Sequence, residues 1–451
     1  MENKYRSFRT AFLLLIILCS AGILSAQSIL LQHATLIDGN GKTPKPNTDL
    51  LIQGDTIASI GPGLPVKGAR VIDLRGKTIM PALITTHAHV GTLKGTTTDG
   101  ANYTRDNLLR QLKKYNDYGV STVLAMGTDR PLIFAGFRDS SRAGLLPGAR
   151  LYSAGYGFGV PGAAPPSSFG MDQVFRPANV AEARDQVERL LPLQPAVLKI
   201  WVDDFNGKFP KMSPEIYSAI ITRAHELHLR VASHLYYLED AKRLVDKGID
   251  IIAHSIRDKD IDDSLLAAMK ARGVAYIPTL SLDEFAYIYA RRPDWIDDPF
   301  FRASLEPGVY EMITAKDYQE KLKASPDYER NKAGFEIALR NLKKIYDAGI
   351  LVSLGTDSGA TPLRAQGFSE HLELELMVQA GLTPLEAITV ATKNASVLLQ
   401  IDSRYGTIEK GKIADLLVLS ADPSKNIKNT RKIESVWKAG KQISKGPLAA
   451  K

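Results

Sequence analysis

The chain has 451 residues, 44% of them hydrophobic and 24% charged, with a formal net charge of +8. That length suits a barrel plus a modest second unit better than one small domain, and the composition is ordinary for a globular protein able to bury a large core. The basic excess does not mark a nucleic-acid face: Lys and Arg alternate with Asp and Glu, as over 319–345, and no stripe of Arg interleaved with aromatics occurs.

In chain order, residues 1–26 read as an export signal. Lys4, Arg6 and Arg9 precede an apolar run from Ala11 to Ile23, and Ser25-Ala26 offers a small-residue cleavage point before Gln27. The expected destination is the periplasm or the exterior. The run is shorter than the about 20 apolar residues of a membrane span. An uncleaved anchor is the alternative, and a lipoprotein site at Cys19 is disfavoured by Leu18. Once the signal is removed, no stable membrane insertion is expected. Cys19 is the only cysteine, so a mature chain has no disulfide, no Cys nucleophile and no Cys-ligated zinc. Any metal must sit on nitrogen and oxygen.

From Ser28 to about Met80 short β-branched runs (Ile29–Ile37, Asp49–Ile52, Thr56–Ile60, Arg70–Ile72) are broken by Asp38-Gly-Asn-Gly41 and Gly61-Pro-Gly63. The C-terminal stretch reads alike, with strands over Ile413–Leu419 and Ile433–Lys438. Both ends together predict one discontinuous β-sandwich over 27–79 and 405–451. The middle, 80–404, alternates. Strand-like runs fall at Ile79–Thr85, Ser121–Met126, Arg150–Ala154, Ala196–Val202, Arg230–Ser233, Ile249–Ala253, Ala275–Thr279 and Leu351–Gly355. Helical periodicity separates most of them, as over Pro214–His228, Asp240–Lys247 and Ser264–Arg272. Gly119, Gly248, Gly273 and Gly349 stand where helices need a residue tolerant of positive φ. Thr383-Pro-Leu-Glu386 is a capping box that starts a helix running to about Leu399. Eight alternations predict an α/β fold, a parallel (β/α)₈ (TIM) barrel. A doubly wound open sheet is the alternative, without a Gly-rich phosphate loop to support it. Leu282–Ile345 is too long for a plain connection and reads as an inserted helical cover beside the barrel mouth.

His87-Ala88-His89 closes the first barrel strand, and residues i and i+2 of a strand face one way, so both imidazoles can grip one ion. His234, His254 and Asp357 end the fifth, sixth and eighth strands. Catalytic groups of such barrels gather at that end. His33 falls in the β-rich end, and His225 and His228 fall on a helix, where packing or solvent is expected. His371 is a candidate pocket residue. Lys199 interrupts an apolar strand, where an unpaired ammonium is costly. Either it pairs with Asp203 or Asp204, or its amine has taken up carbon dioxide to become a carbamate, an anionic ligand able to bridge two metals.

Met80-Pro-Ala-Leu-Ile-Thr-Thr-His-Ala-His89, Val197-Leu-Lys-Ile-Trp-Val-Asp-Asp204, Val231-Ala-Ser-His234, Gly248-Ile-Asp-Ile-Ile-Ala-His254, Gly355-Thr-Asp-Ser-Gly359 and Gly406-Thr-Ile-Glu-Lys-Gly-Lys-Ile-Ala-Asp-Leu416 occur in this order. With them the chain resembles the metal-dependent amidohydrolases, in their imidazolonepropionase-like and Xaa-Pro dipeptidase-like branch. The resemblance implies His87, His89 and Asp357 on a buried metal, His234 and His254 on a more exposed one, and carboxylated Lys199 between them. Ala82 and Thr85 depart from the usual Gly and Asp, and neither is a ligand.

Such a ligand set implies two divalent cations that activate a shared water to hydroxide and polarise the scissile carbonyl. Zinc suits the ligands, as do manganese, iron and cobalt. Asp357 is the expected general acid/base. Tyr236 is a candidate oxyanion donor, and Tyr156, in Gly155-Tyr-Gly-Phe-Gly159, a weaker one. The expected substrate is a small amide, cyclic amide or dipeptide, which makes an exported Xaa-Pro type dipeptidase one sub-reading. Lactone hydrolysis would use the same machinery. A catalytically dead metal-binding barrel and a one-metal deaminase are the competing classes. Oligomeric state stays open, a homo-oligomer included.

Overall fold

The computed structural model describes residues 28–66, 68–167 and 170–449. The expected signal, 1–26, lies outside them. Among the described residues no helix is long and apolar enough to cross a membrane.

Both chain ends meet in one eight-stranded sheet. Ser28–Leu36 pairs antiparallel with Lys45–Gln53 and parallel with Ala69–Asp73 and Thr78–Pro81; Thr78–Pro81 then pairs antiparallel with Leu416–Leu419, which leads to Ile433–Lys438 and Lys441–Ser444. Alternate residues of these strands, among them Leu31, Leu50, Ile79, Leu416 and Trp437, form a separate small core. The expected barrel strand Ile79–Thr85 is therefore two strands. Ile79 and Met80 serve the terminal sheet, and a second strand, Leu83–Ala88, begins after Ala82.

The middle of the chain is α/β. Leu83–Ala88, Val120–Ala125 and Arg150–Ser153 form one parallel sheet, and Leu198–Trp201, Val231–His234, Ile251–Ala253 and Ala275–Ile277 form another. Isolated parallel bridges Phe158–Ile200, Tyr276–Val352 and Ala88–Ser358 link strands at both edges of these sheets. The expected eighth strand, Leu351–Gly355, is not a continuous one. Its backbone pairs at separate points: Ser353 N donates to Tyr276 O, Thr86 N to Leu354 O, and the Asn394 side chain to Val352 O. Intervening helices include Arg105–Asp117, Val180–Leu190, Pro214–Glu226, Leu238–Asp246 and Asp263–Arg272, close to the expected bounds where these were given. Gly119, Gly248, Gly273 and Gly349 all have positive φ. The Thr383 capping box is present and opens the run through Leu398, with a π-turn at Val390–Asn394. The 282–345 stretch is helical, ending in Tyr328–Asp347.

Candidate active site

The candidate ligands leave their strands at one end. His87 and His89 lie at the exit of Leu83–Ala88, His234 ends its strand, and His254 follows Ile251–Ala253. Asp357 sits in the turn whose Ser358 bridges Ala88. His254 and Asp357 have φ of 81° and 57°, left-handed values that cost a non-glycine residue about 1–3 kcal/mol. Surrounding bonds impose them: His254 N donates to Ile277 O and Asp357 N to His87 O, each at 2.9 Å. A Cβ on Gly355 would lie 2.7 Å from His87 Cβ, so only glycine lets the Asp357 turn approach this closely.

One ligand atom each from His87, His254 and Asp357 lies within 4.8 Å of the others, all three side chains being buried. Asp357 Oδ1 is 2.8 Å from His89 Nε2 and 3.1 Å from His87 Nε2. The His87–His254 and His254–His234 ring centroids are 4.5 and 4.4 Å apart. Lys199 is fully buried among them. Its Nζ has no hydrogen-bond partner among the described residues, and neither has His87 Nδ1. Buried polar atoms are rarely left so, and such nitrogens beside a carboxylate match the donor set of a divalent cation. This His-His-Asp group can hold a divalent metal.

The electrostatics agree. Burial drives His87 down to about 3 and, with its neighbours, lowers His234 and His254, so these imidazoles are neutral and their lone pairs are available. Burial brings the Lys199 ammonium down to about 7. Asp357 is pushed up by burial, but Arg364, His89 and His87 outweigh this and hold it well below the usual range. The alternative pairing of Lys199 with Asp203 or Asp204 is overturned. Asp203 Oδ2 is 2.9 Å from His234 Nε2, and Asp204 accepts from the Tyr237 hydroxyl at 2.8 Å.

Other residues that sequence reasoning did not single out shape the site. His89 Nδ1 bonds Thr128 Oγ1 at 2.7 Å and His254 Nδ1 bonds Thr279 Oγ1 at 2.9 Å. Glu373 accepts the backbone N–H of Leu280 and of Ser281, both at 2.7 Å, and so fixes the turn after Thr279. Glu370 accepts from Thr356 and Ser358 and braces the Asp357 turn. Its neighbour His371 is a correction. One helical step turns it away from the cleft, where its ring nitrogens bond Thr430 Oγ1 and Tyr118 O. Tyr156 also lies outside the cleft lining, packed edge-on against Phe134 and Phe175.

Above the cluster opens a cleft of about 370 Å³. Trp201, Phe205, Phe209 and Met171 make an apolar wall, and Tyr236, Arg257, Arg330 and Arg364 a polar one. Phe205 stacks on His234 at 5.8 Å. The Tyr236 ring lies against Arg257 and Arg330, 4.6 and 4.2 Å away, and burial raises its phenol above the ordinary value.

The sequence model of the amidohydrolase family matches residues 78–443. An ochratoxinase of Aspergillus niger is 27% identical over 286 residues, 60% of this chain and 52% of its own length, so the chain spans about half of that relative. An imidazolonepropionase of Symbiobacterium thermophilum is 34% identical over 80 residues, 17% of this chain and 18% of its own. A crystal structure of a Xaa-Pro dipeptidase superimposes with a TM-score of 0.72 at 23% identity, covering 92% of this chain and all of that one. The motif order, the clustered ligands and the matched 78–443 stretch lead to one assignment: this chain belongs to the amidohydrolase family.

Proposed function

We propose that the protein hydrolyses a C–N bond of a small amide or dipeptide at a binuclear metal centre. The observation that carries the reading is the buried His87–His254–Asp357 cluster, together with the buried Lys199, whose amine has no partner among the described residues. His87, His89 and Asp357 would hold one cation, His234 and His254 the other, and zinc suits such ligands. An amine lowered to about 7 by burial is substantially uncharged at neutral pH, the form that takes up carbon dioxide, so Lys199 as carbamate would bridge them. Divalent cations bound there supply an activated water and a polarised carbonyl. The chain's own residues do the rest. Asp357 takes the proton of the attacking water on a carboxylate oxygen and returns it to the leaving nitrogen. The Tyr236 phenol, kept protonated, offers a hydrogen bond toward the oxyanion.

The same reading includes a closed (β/α)₈ barrel, supported by the three isolated bridges at the sheet edges, with a second unit built from 27–79 and 405–451. It also includes export by residues 1–26, consistent with a scavenging dipeptidase of the Xaa-Pro type.

The test is a screen of metal-reconstituted protein against dipeptides and N-acyl amino acids, with Asp357→Asn beside it. The variant is expected to keep its metal and lose about 10²–10⁴-fold in turnover. Full activity in the variant would remove Asp357 from its role. No cleavage by metal-loaded wild type would end the hydrolase reading.

A further inference from the structure

The short helix Leu280–Phe285 stands between the active-site cleft and a second cavity, of about 640 Å³. Leu282 lines the cleft and Glu284 the cavity. Two positions along a helix turn a side chain by roughly 200°, onto the opposite face. No candidate metal ligand lines this cavity. Glu284 is only 9% exposed, and its Oε2 is buried with no hydrogen-bond partner among the described residues. The neighbouring cations do not neutralise it. Arg431, the buried one, is taken by two other carboxylates: Nη2 lies 2.5 Å from Glu375 Oε1 and Nη1 3.2 Å from Asp298 Oδ2. Arg291 and Lys428 also line the cavity but are exposed to solvent.

Burial pushes the Glu284 carboxyl up, and Glu375 adds to this. Arg291 and Arg431 pull the other way without prevailing, so the group rests at about 7. A carboxylate withdrawn from water is stable as an anion only beside a counter-charge. A divalent metal is not the cation that fits here, because it asks for several oxygen or nitrogen ligands at once. The only group of three such ligands among the described residues lies in the candidate active site. The rest of the wall is apolar instead: Ile288, Trp295 and Leu376 line the same cavity, Trp295 being partly exposed. One unpaired buried carboxylate beside an aromatic and aliphatic surface matches a ligand with a single positive head and an apolar body.

We propose that this cavity is a second binding site of the protein, taking a small organic ammonium ion with its head on the Glu284 carboxylate and its apolar body against Trp295 and Leu376. The site goes beyond the hydrolase reading and does not rest on it, because none of the residues assigned to the metals or to proton transfer contributes to it. Neutral analogues are disfavoured because they bring no counter-charge to Glu284, and anionic ones because Glu284 and Glu375 repel them.

The experiment titrates the metal-loaded full chain with phenethylammonium and with its neutral analogue, phenethyl alcohol, by calorimetry at about pH 8, where the amine is still charged. The ammonium is expected to bind at least about tenfold tighter than the alcohol. Added salt should weaken only the ammonium. Glu284→Gln should bring the ammonium down to the level of the alcohol and leave the alcohol unchanged, which reports an intact cavity. Phe205→Ala, on the wall of the active-site cleft, should leave both affinities as they are. Equal binding of ammonium and alcohol, no binding of either, an ammonium affinity untouched in Glu284→Gln, a parallel fall of both probes in that variant, or a loss of ammonium binding in Phe205→Ala would each overturn the proposal. None of these readouts involves turnover, so the amide screen remains a separate test of the hydrolase reading.

Discussion

At the residue scale, three of the four candidate imidazoles have their second nitrogen tied. His89 is tied to Thr128, His254 to Thr279 and His234 to Asp203. Only one nitrogen of each is then left for a metal, and its direction is fixed. Asp203 does the most. Burial pushes its carboxyl up, but the hydrogen bond to His234, the charge of Arg257 and the Phe205 N–H together hold it below the usual carboxylate range. It therefore stays an acceptor for His234 Nε2 and for Phe205 N at 3.0 Å. Asp203→Ala should weaken metal binding about 10–100-fold in a chelator competition while the far-ultraviolet dichroism stays that of the wild type. Unchanged metal affinity would show that the contact is incidental. The imidazoles themselves were legible in the sequence because strand ends mark them. Their partners were not: Thr128 and Thr279 meet their histidines across 39 and 25 positions, and a threonine beside a strand end carries no local mark of such a bond.

At the element scale, the roof over His234 is a strained loop. Phe205, Asn206 and Gly207 are left-handed in succession, with φ of 50°, 63° and 74°. Two of the three are not glycine and hold a conformation worth about 1–3 kcal/mol each. Asp327, at the start of the Tyr328–Asp347 helix, restrains the loop through Asn206 and Lys208. Asp327→Ala removes both restraints, each a partly exposed polar contact worth at most about 1 kcal/mol. Loop opening should rise about 5–30-fold. The measurement is tryptic cleavage at Lys208, which follows the open population when closing is fast. Cleavage at the wild-type rate would show that the loop holds itself. The sequence marked this insertion as a cover by its length and aromatics, but the latch joins two loops 119 positions apart and leaves no periodic trace. The same limit explains the strand at Ile79–Thr85. Its unbroken apolar text hides the switch at Ala82, because both halves are buried, one in each sheet. The segment near Leu351 reads as a strand for its apolar residues, yet the backbone there pairs only at points.

At the scale of the whole molecule, the two chain ends are fastened to the α/β part at the face opposite the ligands. Asp415 and Arg150 form a buried ion pair, with Arg150 also stacked on Tyr405 at 4.6 Å. Asp415 Oδ1 accepts Ala439 N at 2.8 Å, its backbone oxygen accepts Ala82 N at 3.0 Å, and Lys438 Nζ donates to Gly148 O. Ala82 stands at the foot of the strand whose far end carries His87. At about 3.3 Å per residue the two levels are separated by roughly 17 Å. In (β/α)₈ barrels, the fold proposed above, the N-terminal face of the strands serves stability and the C-terminal face chemistry. Asp415→Ala leaves Arg150 buried without its counter-charge and beside a second cation, Lys438. Breaking one partner of a buried pair costs about 3–5 kcal/mol. The variant should therefore unfold at distinctly lower denaturant than the wild type, while the folded fraction keeps the wild-type metal content and the wild-type rise in melting temperature on metal addition. Loss of metal binding together with stability would mean that the foot and the mouth of the strand are one cooperative unit, and that the separation of roles argued from the strand's length is wrong.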